Sequence, residues 1–484
     1  AWTGAHDAYG DEGCIWFGYA AHNNCYGGAS PAGLKRDGRP YNKQSLSDRE
    51  GVWRNYVDFE LQDLVKLKRS RNRAHYDTSK VYTEASDDNR DRKLRVKGNP
   101  SLGSIQTMMI GVRNVLTNTI DNITVWVNEL QVSDFTNSGG WAAKIDATLG
   151  MSDIARVQFG GHIETAGFGS VDQGLNSRRL DKYEKYNVTV EGDLHRFVPE
   201  KAKLNAPIYY SYSMERTTPK YNPLDTDVEL SDAVDDAATQ EEKDFIEGYS
   251  ITRTVNQNFA MSEWKFDRRS EVPKPWDPAN FVANFSFRKK TYQDPTTDHE
   301  YNNDYSGGLT YTYSPYSKSV KPFSFIKSKN RNLRFFRDWE FFYFPRTIML
   351  STVMTRHYEE TQQRAEFNYD HPELTSTMPA YATKDFYWNR RLNLAWKLTN
   401  SLEFTINTQT KARIEETEGV VNRTLFPDRY KEWRDTVWNS ILRLGTPWAY
   451  NQEFVATYKA PFNKIPVLDM LNASADYRGT YNWD

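Results

Sequence analysis

Three groups of residues carry side chains or backbone with the potential for chemistry. Cys14 and Cys25 are the only cysteines. Eleven positions apart, with Gly13 and the pair Gly27 and Gly28 nearby, they could close a hairpin disulfide in an oxidising compartment or stand as two unpaired thiols. His6 and His22 lie close in sequence, but no CxxC or HxxxH spacing accompanies them, so a metal site is not expected. The second group is acidic: Asp232, Asp235, Asp236, Glu241, Glu242 and Asp244. Two such carboxylates in a cleft could perform glycoside hydrolysis. Leu230, Val234, Ala237 and Phe245 recur among them at near-helical spacing, however, and this predicts an acidic amphipathic helix on a surface. The third is the glycine-rich bend Thr165 to Gly174. A phosphate cradle would need a following helix and a terminal Lys-Ser/Thr, and the sequence has neither. Catalytic, cofactor-binding and metal-binding residues are therefore expected to be none, and the chain is not read as an enzyme.

The elements that must position these residues are mostly strands. Trp141, Ala143, Ile145, Ala147 and Leu149 alternate with Lys144, Asp146 and Thr148. A period of two held over about nine residues predicts a strand with one apolar and one polar face. A short turn at 150–154 leads to a second run, with Ala155, Val157, Phe159, Gly161 and Ile163 against Arg156, Gln158, His162 and Glu164. This hairpin needs an apolar partner, either a second sheet or a bilayer. Further strands are predicted at 186–191, 206–213, 249–255, 279–287, 305–313, 347–354, 386–398, 402–410, 448–458 and 471–483. Their length decides between the two, because bilayer strands need about 9–11 residues and sandwich strands average about 5–6. Residues 411–439 read as a polar excursion.

Upstream, residues 1–137 read as a jelly-roll-like β-sandwich closed by strands at Ile105–Asn114 and Ile123–Val132. A short helical turn is expected near 62–67. From Arg69 to Asn99 basic and acidic residues mix, which reads as a long solvated loop rather than a binding patch.

Composition agrees with a wall of half-polar strands. Of 484 residues only 38% are hydrophobic, yet 14% are aromatic, with 30 Tyr, 25 Phe and 14 Trp. Membrane barrels combine these features, since every second residue stays polar while aromatic girdles mark the interfaces. Sugar-stacking sandwiches share the pattern. No run of 18 apolar residues predicts a transmembrane helix. The net charge of −2 gives no reason to expect nucleic acid. The opening Ala1-Trp2-Thr3-Gly4 is no signal peptide and the end falls inside an alternating run, so an internal piece of a longer protein is expected.

Several segments together resemble one family: Arg92–Asn114, Val125–Leu149, Thr165–Gln173, the run Tyr221-Asn222-Pro223-Leu224-Asp225, and Tyr458–Trp483. They resemble the SprA/Sov family, which forms the giant outer-membrane barrel of the type IX secretion system in gliding and related Gram-negative bacteria. The resemblance implies an all-β chain in two parts. Residues 1–137 would be the sandwich, and residues 138–484 part of a large outer-membrane barrel with long polar loops and an acidic helical loop at 225–248. It implies a protein-conducting translocon without cofactors. Its partners would be secreted cargo with a C-terminal sorting domain, shuttle-barrel and plug proteins, and outer-membrane lipid. On this reading Trp141, Ala143, Ile145 and Leu149 face lipid, and Lys144, Asp146 and Thr148 face the lumen. A surface carbohydrate-binding sandwich and a plugged nutrient-receptor barrel are the alternatives.

Overall fold

Among the described residues most stretches in which apolar and polar side chains alternate run as strands, and these extend well past the alternation itself. The structure is a computed structural model that describes residues 14–19, 24–29, 60–85, 93–105, 107–110, 138–152, 154–174, 177–268, 271–316, 318–326, 334–365, 378–421, 423, 426–465, 468 and 470–484. The first sheet comprises β1 (Cys14–Tyr19), β2 (Asn24–Ala29), β3 (Tyr82–Ala85), β4 (Lys93–Lys97) and β5 (Thr107–Ile110). Its strands run antiparallel in the order β3-β4-β2-β1-β5. Helix α1 (Leu61–Arg73) packs on it through Leu64 and Leu67, which meet Leu94 and Val96 in a small core flanked by Tyr82 and Leu102. The described part of this region is thus one sheet covered by a helix. The strand expected over Ile123–Val132, and the rest of the expected sandwich, lie outside the described residues.

The Arg69–Asn99 stretch departs from its reading as a loop. Arg69 to Arg73 continue α1, and β3 and β4 follow within the same stretch. The cysteines are also placed by this sheet. Cys14 pairs with Ala29 and Cys25 with Gly18, four positions apart along the ladder. At ~3.3 Å per residue that separation far exceeds the ~4.4–6.8 Å between Cα atoms that a disulfide spans. Bonding Cys14 to Cys25 would require the hairpin to slip by four residues.

The second sheet begins with β6 (Ala142–Met151), β7 (Ala155–Glu164), β8 (Asp181–Asp193), the short β9 (Leu204–Asn205) and β10 (Pro207–Pro219). An insertion follows: β11 (Tyr221–Asn222), β12 (Asp225–Glu229), α2 (Leu230–Asp236) and α3 (Gln240–Ser250). The sheet resumes with β13 (Thr252–Phe266), β14 (Phe281–Gln293) and β15 (Thr297–Tyr313). The next connection holds β16 (Ser319–Val320), α4 (Arg334–Arg337) and β17 (Phe341–Phe342). Then come β18 (Thr347–Gln363), β19 (Tyr381–Lys397), β20 (Leu402–Arg413), helix α5 (Pro427–Leu442), β21 (Thr446–Ala460) and β22 (Ala473–Trp483). Apart from the small strands these pair antiparallel as an uninterrupted meander from β6 to β22, with β9 added beside β13. The acidic helical loop is two helices, broken between Asp236 and Gln240. Thr239 caps the second by accepting from Glu242 N at 3.2 Å, and Glu242 reaches back to Ala238 N at 3.0 Å. The polar excursion after β20 contains α5, and Tyr249 and Ser250 close α3 instead of opening a strand.

The first sheet and its helix are joined by charge to the insertion that β10 and β13 carry. The Lys68 side chain is 1% exposed, and its ammonium donates to Asp225 at 2.5 Å, to Asp227 at 3.4 Å and to the Pro100 carbonyl at 2.7 Å. An Asx turn, in which Leu224 N donates to Asn222 Oδ1 at 3.0 Å, presents Asp225 to that cation. Asp227 also accepts from Leu102 N at 2.7 Å. On the outer rim Arg69 binds Asp232 at 2.6 Å and Asp236 at 2.8 Å, and Arg73 binds Asp236 at 2.5 Å. The basic run and the acidic loop are therefore each other's partners.

Removing the buried cation would strand two carboxylates. Lys68→Ala in the intact protein is expected to weaken this junction by about 3–5 kcal/mol, read as lost hydrogen-exchange protection of α1. Unchanged protection would refute the junction. The rim gives a pH dependence. Burial pulls the Asp236 carboxyl up, but Arg69 and Arg73 outweigh it and hold the group below the usual carboxylate range. Its contribution is complete at neutral pH and is lost as pH falls through that lowered value. Proteolysis at α1 should accelerate in acid and Asp236→Asn should blunt the acceleration.

Candidate functional site

The large sheet has two faces of opposite character, and the register shows which residues share each. Opposed residues on neighbouring strands point to the same side. Ile145 opposes Gly161, Leu149 opposes Val157, and Val190 opposes Tyr210. The same face then carries Met261, Phe285, Leu309, Leu350, Leu392, Ile406, Phe454 and Tyr477. The other face carries Lys144, Asp146 and Thr148, then Gln158, Asn187, Ser211, Asn258, Arg288, Asp304, His357, Asn389, Asn407, Glu453 and Arg478. The seven positions named in the first hairpin thus divide as their alternation requires, Trp141 flanking β6 directly.

The apolar face is held by ring contacts that cross from strand to strand. Phe259 stacks on Phe287 at 5.7 Å, Phe281 meets Tyr311 at 5.0 Å and Phe404 stacks on Phe454 at 5.6 Å. Its side chains stay uncovered: Ile145 is 57% exposed and Tyr477 65%. The polar face is held by cross-strand hydrogen bonds and mixed-sign ion pairs. Lys144 meets Asp146 at 3.1 Å, Lys290 meets Glu300 at 3.1 Å, His357 meets Asp304 at 2.7 Å and Arg478 meets Glu453 at 3.4 Å. Asn407 bonds Glu453 at 3.2 Å and also pairs with Asn393. Such a face is content in water, and the other is not.

The apolar band does not follow the ladder rows. The row through Ala147, Phe159, Val188 and Tyr212 is apolar and aromatic, then turns polar at Gln257, Lys289 and Asn303 and reaches Lys384 through Tyr358. The row through Tyr313, Ile348, Leu394, Ile406, Phe454 and Gly479 is apolar at the far edge. Between these rows, measured along β15, lies the stretch from Asn303 to Tyr313. The band therefore shifts by about one residue per strand across the meander. With ~3.3 Å per residue and ~4.8 Å between strands, the strands tilt roughly 35° to the band. Transmembrane barrels tilt their strands by about 35–45° around an apolar belt ~25 Å tall. A run of about nine strand residues, every second one on the apolar face, spans roughly 25 Å at this tilt.

Indole N–H groups near the rims of the band bond to the protein: Trp264 to the Pro207 carbonyl at 2.9 Å and Trp396 to the Phe342 carbonyl at 3.0 Å. Connections are mixed in length at both ends. Tight turns follow β6 and β19 at one end, and β14 at the other, where the N-terminal sheet docks.

The remaining sequence candidates resolve into structural roles. Gly167 has φ +88°, and a Cβ there would sit 2.4 Å from the Ser138 carbonyl, while one on Gly140 would sit 2.2 Å from Phe168 N. The glycine bend and the Gly139-Gly140 pair are small because their backbones touch. Its amides are taken by the chain itself, Gly167 N by the Arg179 carbonyl at 2.7 Å and Ser170 N by Gln173 Oε1 at 3.0 Å. Asp232 and Asp236 serve Arg69 and Arg73. Sequence reasoning missed this junction, and the signal for it was present as two excursions of opposite charge, one around Arg69 to Arg73 and one around Asp225 to Asp236.

Residues 17–234 match the family model SprA_N, described as motility related/secretion protein. No curated protein matches the chain. The match ends inside α2, so it contains both sides of the Lys68–Asp225 junction and the first strands of the large sheet.

Solvation of the two faces is testable. Ile145→Arg puts a charge on the apolar band, at a cost of about 2–4 kcal/mol if that face meets lipid at mid-depth, whereas Lys144→Gln costs little on a wetted face. Heat-modifiable migration of the intact protein from outer-membrane fractions should be lost for the first variant and kept for the second. Equal tolerance would rule out a lipid wall.

Proposed function

We propose that this member of the SprA family of motility related/secretion proteins forms part of the wall of a protein-conducting outer-membrane barrel, the type IX secretion translocon, linked also to gliding. The observation that carries the reading is the oblique apolar band backed by a continuous polar face. A soluble sandwich would bury the band under a second sheet, and a barrel wall presents it to lipid. Trp141, Ala143, Ile145 and Leu149 then face the bilayer, and Lys144, Asp146 and Thr148 the lumen.

The geometry also sets the scale. The largest known barrels have about 36 strands. At ~4.8 Å spacing and ~35° tilt that number gives a circumference of roughly 210 Å and a diameter of roughly 65–70 Å. A folded domain of about 100 residues, with a radius of gyration near 13 Å, would pass. The meander from β6 to β22 would supply about a third of such a wall. Its lumen face offers polar groups of both signs, which suits the passage of varied cargo without adhesion. The chain's role is passage and not chemistry, and it uses no cofactor. Cargo would carry a C-terminal sorting domain, and plug and shuttle-barrel proteins would close and relieve so wide an opening.

Depletion of the protein in its host, followed by a census of the medium, tests the reading. Cargo with the sorting domain should disappear from the medium and accumulate in the periplasm. Normal export after depletion would sink the translocon and return the chain to a surface-binding role.

A further inference from the structure

Just past the apolar band, on the same face, β10, β13 and β14 form a shallow pocket lined by Tyr212, Arg253, Val255, Gln257, Lys289, Thr291 and Gln293. We propose that Arg253 and Lys289 bind the phosphate of an anionic lipid headgroup, with Gln257, Thr291 and Gln293 as neutral donors around it. The proposal rests on the wall reading, because that reading places this face toward the bilayer and these cations at headgroup height.

Cations on this face of the sheet fall into two groups, covered and uncovered. Further across this face, on β18 and β19, the chain supplies its own anions and its own cover. Arg356 donates to Glu416 at 2.7 Å and lies against Trp433 of α5, and Lys384 donates to the Thr417 carbonyl at 2.8 Å. The excursion carrying α5 folds over those cations, and Tyr358 and Glu360 beneath it are buried. Over β10, β13 and β14 no such cover is present among the described residues. Arg253 and Lys289 are exposed, and no carboxylate of the described residues bonds either. The acids on this face are already committed: Glu184 to Lys182 at 2.8 Å, and Glu360 to His299 at 3.1 Å and to Tyr358. The carboxylates of Glu215 and Glu300 belong to the opposite face by register.

Two further features fit a lipid and not a free ion. Directly below the cations lies the ring cluster of Phe259, Phe285, Phe287 and Tyr305, a surface for acyl chains. The pocket adjoins that surface at Gln257 and Lys289, each two positions along its strand from Phe259 and Phe287, so one molecule can place its phosphate on the cations and its chains on the rings. Gln293 donates to the Gly248 carbonyl at 3.4 Å, which ties the pocket wall to the end of α3. Charge-assisted bonds from Arg and Lys to phosphate oxygens supply the attraction.

The test uses the intact protein in detergent, exchanged into mixed micelles with phosphatidylglycerol, phosphatidylcholine or inorganic phosphate, with retained lipid counted by native mass spectrometry. Phosphatidylglycerol should be retained over phosphatidylcholine. The double variant Arg253→Gln with Lys289→Gln should lose that retention by about tenfold or more. Arg288→Gln, one position away on the opposite face, should keep it. Equal retention in the double variant, or equal loss in Arg288→Gln, overturns the site. Displacement of the lipid by inorganic phosphate at matched concentration overturns the headgroup assignment in favour of a plain anion site. A fluorophore on Phe285→Cys, quenched or not by nitroxide-labelled acyl chains, separates the two readings. Quenching without retention removes the headgroup site alone, and no quenching removes the wall and the site together.

Discussion

Parity is the constraint on which the large sheet depends. Each strand has one set of side chains that water rejects and one that it accepts, and a slip of one residue in any pairing exchanges the two sets. From β6 to β22 the register keeps every apolar set on one side, so the parity choice is made consistently across the whole meander. The local bulges respect it. Where β13 shifts against β14 between Met261 and Trp264, the extra residue is absorbed and Trp264 returns opposite Ala283, on the apolar side. The ring contacts on one face and the ion pairs on the other are consequences of this consistency, because both need like side chains to meet across strands.

The same constraint explains what could be read in advance. Strand interiors within the band were legible, since one apolar and one polar face give a clean period of two. Strand ends were not. β15 begins at Thr297 and β18 runs to Gln363, well past the predicted strands at 305–313 and 347–354, because the residues added, such as Asp298 to Asp304 and Thr355 to Gln363, are mostly polar on both faces. Pairing with a neighbour, and not patterning, keeps those residues extended. Helix α5 escaped notice for a related reason: its buried positions are Val437 and Ser440, with Tyr430 and Trp433 half-buried, too mixed a stripe to announce a helix. Of the candidate site, the first hairpin's two faces were legible from alternation alone, while the cationic pocket was not, since its members come from three strands and meet only through register.

The junction between the first sheet's helix and the insertion belongs to a different kind of information. Lys68 and Asp225 are separated by most of the first half of the chain, and each alone reads as a solvated charge. Buried together with Asp227 they form a point of high electrostatic consequence, since either partner left alone would be a charge without water. The stretch that matches the secretion family contains both, along with the Asn222 turn that aims Asp225. A feature of this type holds two parts of a molecule in one defined arrangement more than it adds to overall stability.

The oblique band has a geometric corollary. A band that climbs about one residue per strand relative to the ladder fixes the offset at which each further strand must start. Among the described residues β6 and β22 are the two edges of this sheet, and a strand joining either must match it in parity and in offset at once. A stray segment that satisfies the hydrogen bonds alone would set its greasy residues out of line with the apolar band. In this way the offset acts as a proofreading rule for assembly, and guards long open edges that would otherwise invite indiscriminate pairing.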